Sequence, residues 1–295
     1  MFGWTADKKA SFAVLDRFAA AGLNAVDTAD SYSTWVPGNH GGESESIVGE
    51  WMKARGNRAR VIVITKVGSP MGQGKEGLKA RYIEEAVEAS LKRLQTDVIE
   101  LYLAHWPDMA TPIDETLGAF QRLIEKGKIR WCGGSNLNVA LLEGALRAAK
   151  ARGGPRYEVL QPEYNLADRR EFENGLADLC AREEIGVITY FSLAKGFLSG
   201  KYRSEADLAK SPRGGGVKAY LNPRGFSILD ALDKVAAEHK AKPAEVALAW
   251  VLARPGVTAP IASATSVEQV ESLVRATTLK LTPADMEALD KASAT

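Results

Sequence analysis

Seven short runs rich in β-branched and apolar residues begin near residues 24, 61, 99, 129, 157, 186 and 258. Between them lie segments whose apolar side chains recur every three or four positions. Strand-length runs separated by amphipathic helices predict βα units on a parallel sheet, since parallel neighbours need a crossover long enough to hold a helix. The 295 residues suffice for one domain, a (β/α)8 TIM barrel spanning residues 1–295. Such a barrel needs eight strands. The missing one is expected ahead of the first helix, where only Met1-Phe2-Gly3-Trp4 remain, so the first strand is expected to be truncated.

Helices are expected over Asp7 to Ala21 (ended by Gly22), Glu43 to Ala54, Lys79 to Leu94, Ile113 to Glu125, Asn138 to Ala151, Arg169 to Glu184, Phe226 to His239, Ala244 to Ala253 and Ser266 to Ala276. The third is the most periodic, with Ile83, Val87, Leu91 and Leu94 forming one stripe. The Gly-, Lys- and Ser-rich stretch from Ser192 to Arg224 interrupts the series, and a loop of that length in a compact domain is usually functional.

Charge and cysteine content narrow the function classes. With 38 basic and 37 acidic residues the formal net charge is +1, so no overall field draws the chain to nucleic acid or an anionic membrane. No apolar run approaches the roughly 20 residues that span a bilayer, and the N-terminus lacks the pattern of a signal peptide. Cys132 and Cys180 give no disulfide framework, which fits a reducing compartment and makes a cytoplasmic location the default.

Three of the apolar runs end at or just before Asp27, Lys66 and His105, with Tyr32 following the first. Parallel barrel strands deliver their C-terminal residues to one catalytic face. A hydride arriving at a carbonyl carbon leaves negative charge on oxygen, so the site needs a proton donor and fixed positive charge. A tyrosine, with an ordinary pKa of about 10, becomes a better acid beside an ammonium. Lys66 is placed to be that ammonium, Asp27 to keep it charged, and His105 to hydrogen-bond the substrate oxygen. Each residue has a plainer reading alone: a turn cap for Asp27, a surface ring for Tyr32, a core imidazole or metal ligand for His105. No ligand spacing joins His105 to His40 or His239, so a metal site is not expected.

The blocks Asp27-Thr28-Ala29-Asp30-Ser31-Tyr32, Thr65-Lys66, His105-Trp106-Pro107-Asp108 and Gly133-Gly134-Ser135-Asn136 resemble, in order and spacing, the signature of the aldo-keto reductase superfamily. The resemblance continues through Gln161-Pro162-Glu163-Tyr164-Asn165 and the stretch from Tyr190 to Lys201, covering nearly the whole chain. It implies a barrel that binds NADPH and reduces aldehydes or ketones to alcohols, with Tyr32 as general acid, Lys66 and Asp27 tuning it, and His105 orienting the carbonyl. It also implies that the N-terminal hairpin usual in the family is absent here.

The same resemblance assigns the cofactor. Ser135, Asn136 and Gln161 offer donors and acceptors to the nicotinamide carboxamide, and Tyr190 a face for its ring. Ser192, Leu193, Gly196, Leu198 and Lys201 belong to the diphosphate loop, and Ser263, Thr265 and Gln269 to the block that holds the adenosine end at a helix start. The family commonly has Arg where Thr265 stands, and threonine cannot grip a 2′-phosphate bidentately, so NADH remains open beside NADPH. Ser33 replaces a usual glycine, and Thr34 to Gly41 lengthens the rim. Trp4, Trp35 and Trp106 are candidate walls for a small carbonyl substrate. Two other classes stay open: a non-enzymatic NADPH-binding regulatory subunit, and a Schiff-base aldolase using Lys66.

Overall fold

A computed structural model describes residues 2–72 and 74–294. The chain divides into two compact units, one through Gln161 and one from Pro162.

In the first unit α1 (Lys8–Ala20), β1 (Ala25–Asp27), α2 (Glu43–Arg55), β2 (Ile62–Val67), α3 (Ala80–Leu94), β3 (Ile99–Ala104), α4 (Ile113–Glu125), β4 (Ile129–Ser135), α5 (Val139–Arg152) and β5 (Val159–Gln161) follow in strict alternation. The five strands pair in chain order, all parallel. Helix starts are set by local chemistry: Asp7 and Asn138 accept from the backbone N–H groups of Ala10 and Leu141. Gly22, beyond the end of α1, takes the left-handed φ of 81° expected of it. The stripe on α3 is buried throughout.

Strands buried on both faces explain why the runs are nearly continuous in apolar residues. One face packs on the helices: Tyr102 of β3 meets Phe120 of α4 edge-on at 5.9 Å. Residues of opposite parity line the other face. Asp27 sits opposite Ile64, Ile64 opposite Leu101, Lys66 opposite Leu103, Leu103 opposite Gly133, and Ser135 opposite Gln161. Because side chains alternate with a period of two, Asp27, Lys66, Ser135 and Gln161 all share this face. His105 extends the same ladder, its N–H donating to the Val67 carbonyl.

The second unit carries α6 (Arg170–Glu173), α7 (Leu176–Arg182), β6 (Gly186–Thr189), α8 (Pro223–Glu238), α9 (Pro243–Leu252), β7 (Ala259–Pro260), α10 (Val267–Thr278) and α11 (Pro283–Ala292). β6 and β7 pair in parallel. The single helix expected over Arg169 to Glu184 is broken at Asn174 and Gly175, where Gly175 adopts a left-handed φ of 88°. The Ser192 to Arg224 stretch is partly ordered rather than open loop, with short 3₁₀ turns over Glu205–Lys210 and Gly214–Tyr220 and a kinked turn over Ala194–Ser199. α11, started by a Thr282 cap and Pro283, extends the series beyond the helices expected. The α/β alternation and parallel pairing thus match the expected class; seven strands occur among the described residues, and none precedes α1. Among the described residues no helix is long and apolar enough to cross a membrane.

A buried polar layer lies between α2, α3 and β2. Glu45, fully buried, receives hydrogen bonds from Thr65 Oγ1 at 2.5 Å and Arg93 Nε at 2.7 Å. Gly49 lets α3 approach: a Cβ there would stand 2.3 Å from the Arg93 carbonyl oxygen. Asp30, 1% exposed, has no side-chain hydrogen-bond partner among the described residues. Burial, then the charge of Glu45, pushes its pKa up to about 8. Gly49→Ala should destabilise the protein by about 1–3 kcal/mol in urea unfolding, and an unchanged midpoint would mean α2 and α3 can separate freely. Between an unfolded value of 3.8 and a folded value of about 8 the folded chain alone keeps the Asp30 proton. Stability should therefore fall as pH rises through that window, by up to about 1.4 kcal/mol per pH unit. Asp30→Asn should flatten this slope, measured as unfolding free energy at a series of pH values; a slope equal to wild type would assign the dependence to other groups.

Candidate active site

Register brings the predicted chemistry together in the first unit. Lys66 lies one pleat beyond Ile64, which faces Asp27, so its side chain reaches back along the shared face. Its Nζ donates to Asp27 Oδ1 at 2.6 Å, the Thr28 carbonyl oxygen at 2.8 Å and the Tyr32 hydroxyl at 2.9 Å. All three ammonium hydrogens are used. Tyr32 arrives from the turn after β1, and its hydroxyl lies 3.5 Å from Asp27 Oδ1.

Burial disfavours a charge on Lys66, yet Asp27 and Tyr32 together overcome it and its pKa rises above the ordinary lysine value. Lys66 is therefore an ammonium. The expected acidification of Tyr32 is only partly realised. Lys66 does pull its pKa down, but burial is the larger influence, Asp27 adds to it, and the net direction is upward. The phenol keeps its proton across neutral pH. Burial, with help from Lys66, pushes the His105 pKa down to about 3, so its imidazole is neutral. The His105 ring stands edge-on to Tyr32 at 5.8 Å, and its Nδ1 has no hydrogen-bond partner among the described residues.

The strand-end amides surround this group. Ser135 Oγ donates to the Gln161 carbonyl oxygen at 2.8 Å, and Asn136 Nδ2 donates to the His105 carbonyl oxygen at 2.9 Å. Gln161 Nε2 donates to Asp27 Oδ2 at 2.8 Å, a contact no local sequence signal announces because 134 positions separate the two residues. The tryptophans stand at the rim: Trp35 meets Trp4 edge-on at 5.5 Å and Tyr32 at 6.4 Å, while Trp106 stacks on His105 at 6.1 Å. Trp35 and Trp106 are 55% and 48% exposed, enough to offer their faces to a ligand. Ser33 adopts φ 76°, which explains the glycine usual there; its hydroxyl offsets part of the strain by donating to the Phe2 carbonyl oxygen at 2.9 Å.

The second unit holds the other predicted residues. Tyr190 follows β6 and bridges to Glu163. Ser192 is buried, its hydroxyl donating to the Thr189 carbonyl oxygen at 2.9 Å. Phe191, Ala194, Lys195 and Gly196 all have left-handed φ, at 48°, 47°, 57° and 101°. Three of those four carry a Cβ, a strain of the kind that clusters at ligand clamps. The N–H groups of Gly196 and Leu198 both return to the Leu193 carbonyl oxygen. Leu198 is fully buried, and Lys201 Nζ lies 5.0 Å from the Tyr202 ring centre. Thr265 and Gln269 close the start of α10, where Gln269 Oε1 accepts from the Thr265 N–H at 2.8 Å and its hydroxyl at 3.2 Å. Arg213, absent from the sequence-derived set, reaches the Ser263 hydroxyl at 3.5 Å. The brief Arg213-Gly214-Gly215-Gly216 run was its only sequence signal.

The profile of the Aldo/keto reductase family matches residues 1–294. The "Uncharacterized oxidoreductase YrpG" of Bacillus subtilis is 35% identical, covering 95% of this chain and 86% of that protein. The "Aldo-keto reductase yakc [NADP(+)]" of Schizosaccharomyces pombe is 30% identical over 99% of this chain and 84% of its own length. A "Probable voltage-gated potassium channel subunit beta" of Arabidopsis thaliana is 31% identical over 93% and 84%. The chain belongs to the aldo/keto reductase family, whose enzymes are oxidoreductases acting on small carbonyl compounds.

Proposed function

We propose that this protein reduces aldehydes or ketones to alcohols with NADPH, using Tyr32 as general acid within a single (β/α)8 barrel domain. The observation that carries the reading is the Lys66 ammonium, 2.6 Å from Asp27 and 2.9 Å from the Tyr32 hydroxyl. A lysine held charged cannot add to a carbonyl, which disfavours the aldolase reading.

The residues present suit a nicotinamide dinucleotide. Asn136 and Gln161 carry amides at strand ends, and the strained run from Phe191 to Gly196 offers backbone of the kind that forms anion-binding concavities. On this reading Ser135, Asn136, Gln161 and Tyr190 hold the nicotinamide, Ser192, Leu193, Gly196, Leu198 and Lys201 the diphosphate, and Ser263, Thr265 and Gln269 the adenosine end. Arg213, at Ser263, supplies the guanidinium that Thr265 lacks and favours NADPH over NADH. A nicotinamide cofactor held by these residues would supply the hydride for the carbonyl carbon.

His105, neutral, orients the carbonyl oxygen and does not serve as the acid. As negative charge gathers on that oxygen, Tyr32 gives up its proton. Lys66 stabilises the phenolate that remains, and Asp27 keeps Lys66 in place. Trp4, Trp35 and Trp106 are the walls for the organic part of the substrate, and their ring faces suit aromatic carbonyl compounds.

The test is NADPH consumption with a panel of aromatic aldehydes. Tyr32→Phe should lower turnover by about 100-fold or more while cofactor affinity, read by fluorescence titration, stays within a few-fold. An equally active variant would remove Tyr32 from the reaction. Because the proton-bearing phenol is the active form and its pKa lies above the ordinary value of about 10, wild-type turnover should hold through neutral pH and fall only in alkali. With His105 titrating at about 3, no inflection should occur near the ordinary histidine value of about 6.5; one there would make His105 the acid. Tight NADPH binding without turnover on any carbonyl would select instead the regulatory role suggested by the name of the Arabidopsis relative.

A further inference from the structure

We propose that Gln161 is a positioning residue of the proton-donating group, fixing the Asp27 carboxylate so that Lys66 acts on Tyr32. The inference rests on the reductase reading for its kinetic consequence, and on geometry alone for the contact.

The two carboxylate oxygens of Asp27 are divided. Oδ1 takes Lys66 at 2.6 Å and lies 3.5 Å from the Tyr32 hydroxyl, whereas Oδ2 takes Gln161 Nε2 at 2.8 Å. A carboxylate can only accept, so the amide nitrogen must be the atom that faces it. The residue carrying that amide is anchored through its backbone: Gln161 is 2% exposed, and its main-chain carbonyl oxygen receives Ser135 Oγ at 2.8 Å and the Asn136 N–H at 3.4 Å. A nicotinamide contact by this residue would therefore have to coexist with a committed Nε2.

Two consequences follow for the site. The hydrogen bond on Oδ2 stops the carboxylate from turning about its terminal bond, a rotation that would present either oxygen to Lys66. It also neutralises part of the negative charge that opposes Lys66 at Tyr32, since Asp27 raises the tendency of Tyr32 to keep its proton while Lys66 lowers it. Gln161 thus tilts the contest between the two charges toward the cation. This effect on Tyr32 is transmitted through Asp27 and is separate from the nicotinamide contact assigned to the same residue.

Two variants separate this role from simple packing. Gln161→Leu removes the donor at nearly constant volume. Gln161→Glu keeps the shape but donates only while its carboxyl is protonated, because two carboxylates at this distance cannot both ionise readily. At saturating NADPH, Gln161→Leu should lower kcat about tenfold with little change in the KM for the aldehyde. Gln161→Glu should approach wild-type kcat in mild acid and lose it progressively as pH rises through neutrality, a dependence wild type lacks. Full kcat in Gln161→Leu, or a Gln161→Glu profile parallel to wild type, would overturn the proposal. Carbon-13 NMR of the introduced carboxyl gives a readout independent of turnover. It should titrate well above the ordinary glutamate value of about 4.3 and drop when Asp27→Asn is added. A wild type inactive on every carbonyl would refute the reductase reading alone. An introduced carboxyl whose titration ignores Asp27→Asn would refute the role of Gln161.

Discussion

One buried cation organises the first unit. Taking an ammonium out of water costs several kcal/mol even after relaxation, and Lys66 is fully buried. That cost is offset only because each of its hydrogens finds an oxygen: a carboxylate, a main-chain carbonyl and a phenol. The geometry of β1, of the turn that follows it and of β2 is fixed by this requirement. Tyr32 is drawn to the group as much by the need of Lys66 for a third acceptor as by any need of its own.

The alternation of strands holds this cluster together. In a parallel ladder, a residue and the one two positions further on share a face, so Asp27, Lys66, Ser135 and Gln161 converge without any long-range signal in the local sequence. Gly133 keeps the same face clear between Leu103 and Val159, where a Cβ would come within 2.3 Å of the Val159 carbonyl oxygen. The convergence of these four side chains is thus set by strand register and helix length.

Much of this was legible in the sequence because its causes are local. The runs ending at Asp27, Lys66 and His105 have the composition of doubly buried strands, and the stripe on α3 has a single helical period. What escaped reading depends on distant partners or on conformation. The bond from Gln161 to Asp27 and the burial of Glu45 against Arg93 arise only when separate elements meet. The break between α6 and α7 turns on Gly175 entering left-handed space, which apolar periodicity does not register. The upward shift at Tyr32 is similar, since a neighbouring lysine can be inferred from residue order but the degree of burial cannot.

Asn136 extends these points beyond the reaction itself. It sits at φ 60° directly after β4, and its side chain ties the main chain of His105 to the end of that strand. Few side chains accept such a backbone angle, and fewer also carry an amide to span the gap. In directed evolution toward bulkier compounds, this position should therefore resist randomisation, while the neighbouring loop bearing Trp35 absorbs change. Sequence diversity among successful variants would then be uneven around the mouth, concentrated at exposed Trp35 and sparse at the left-handed Ser33 and Asn136.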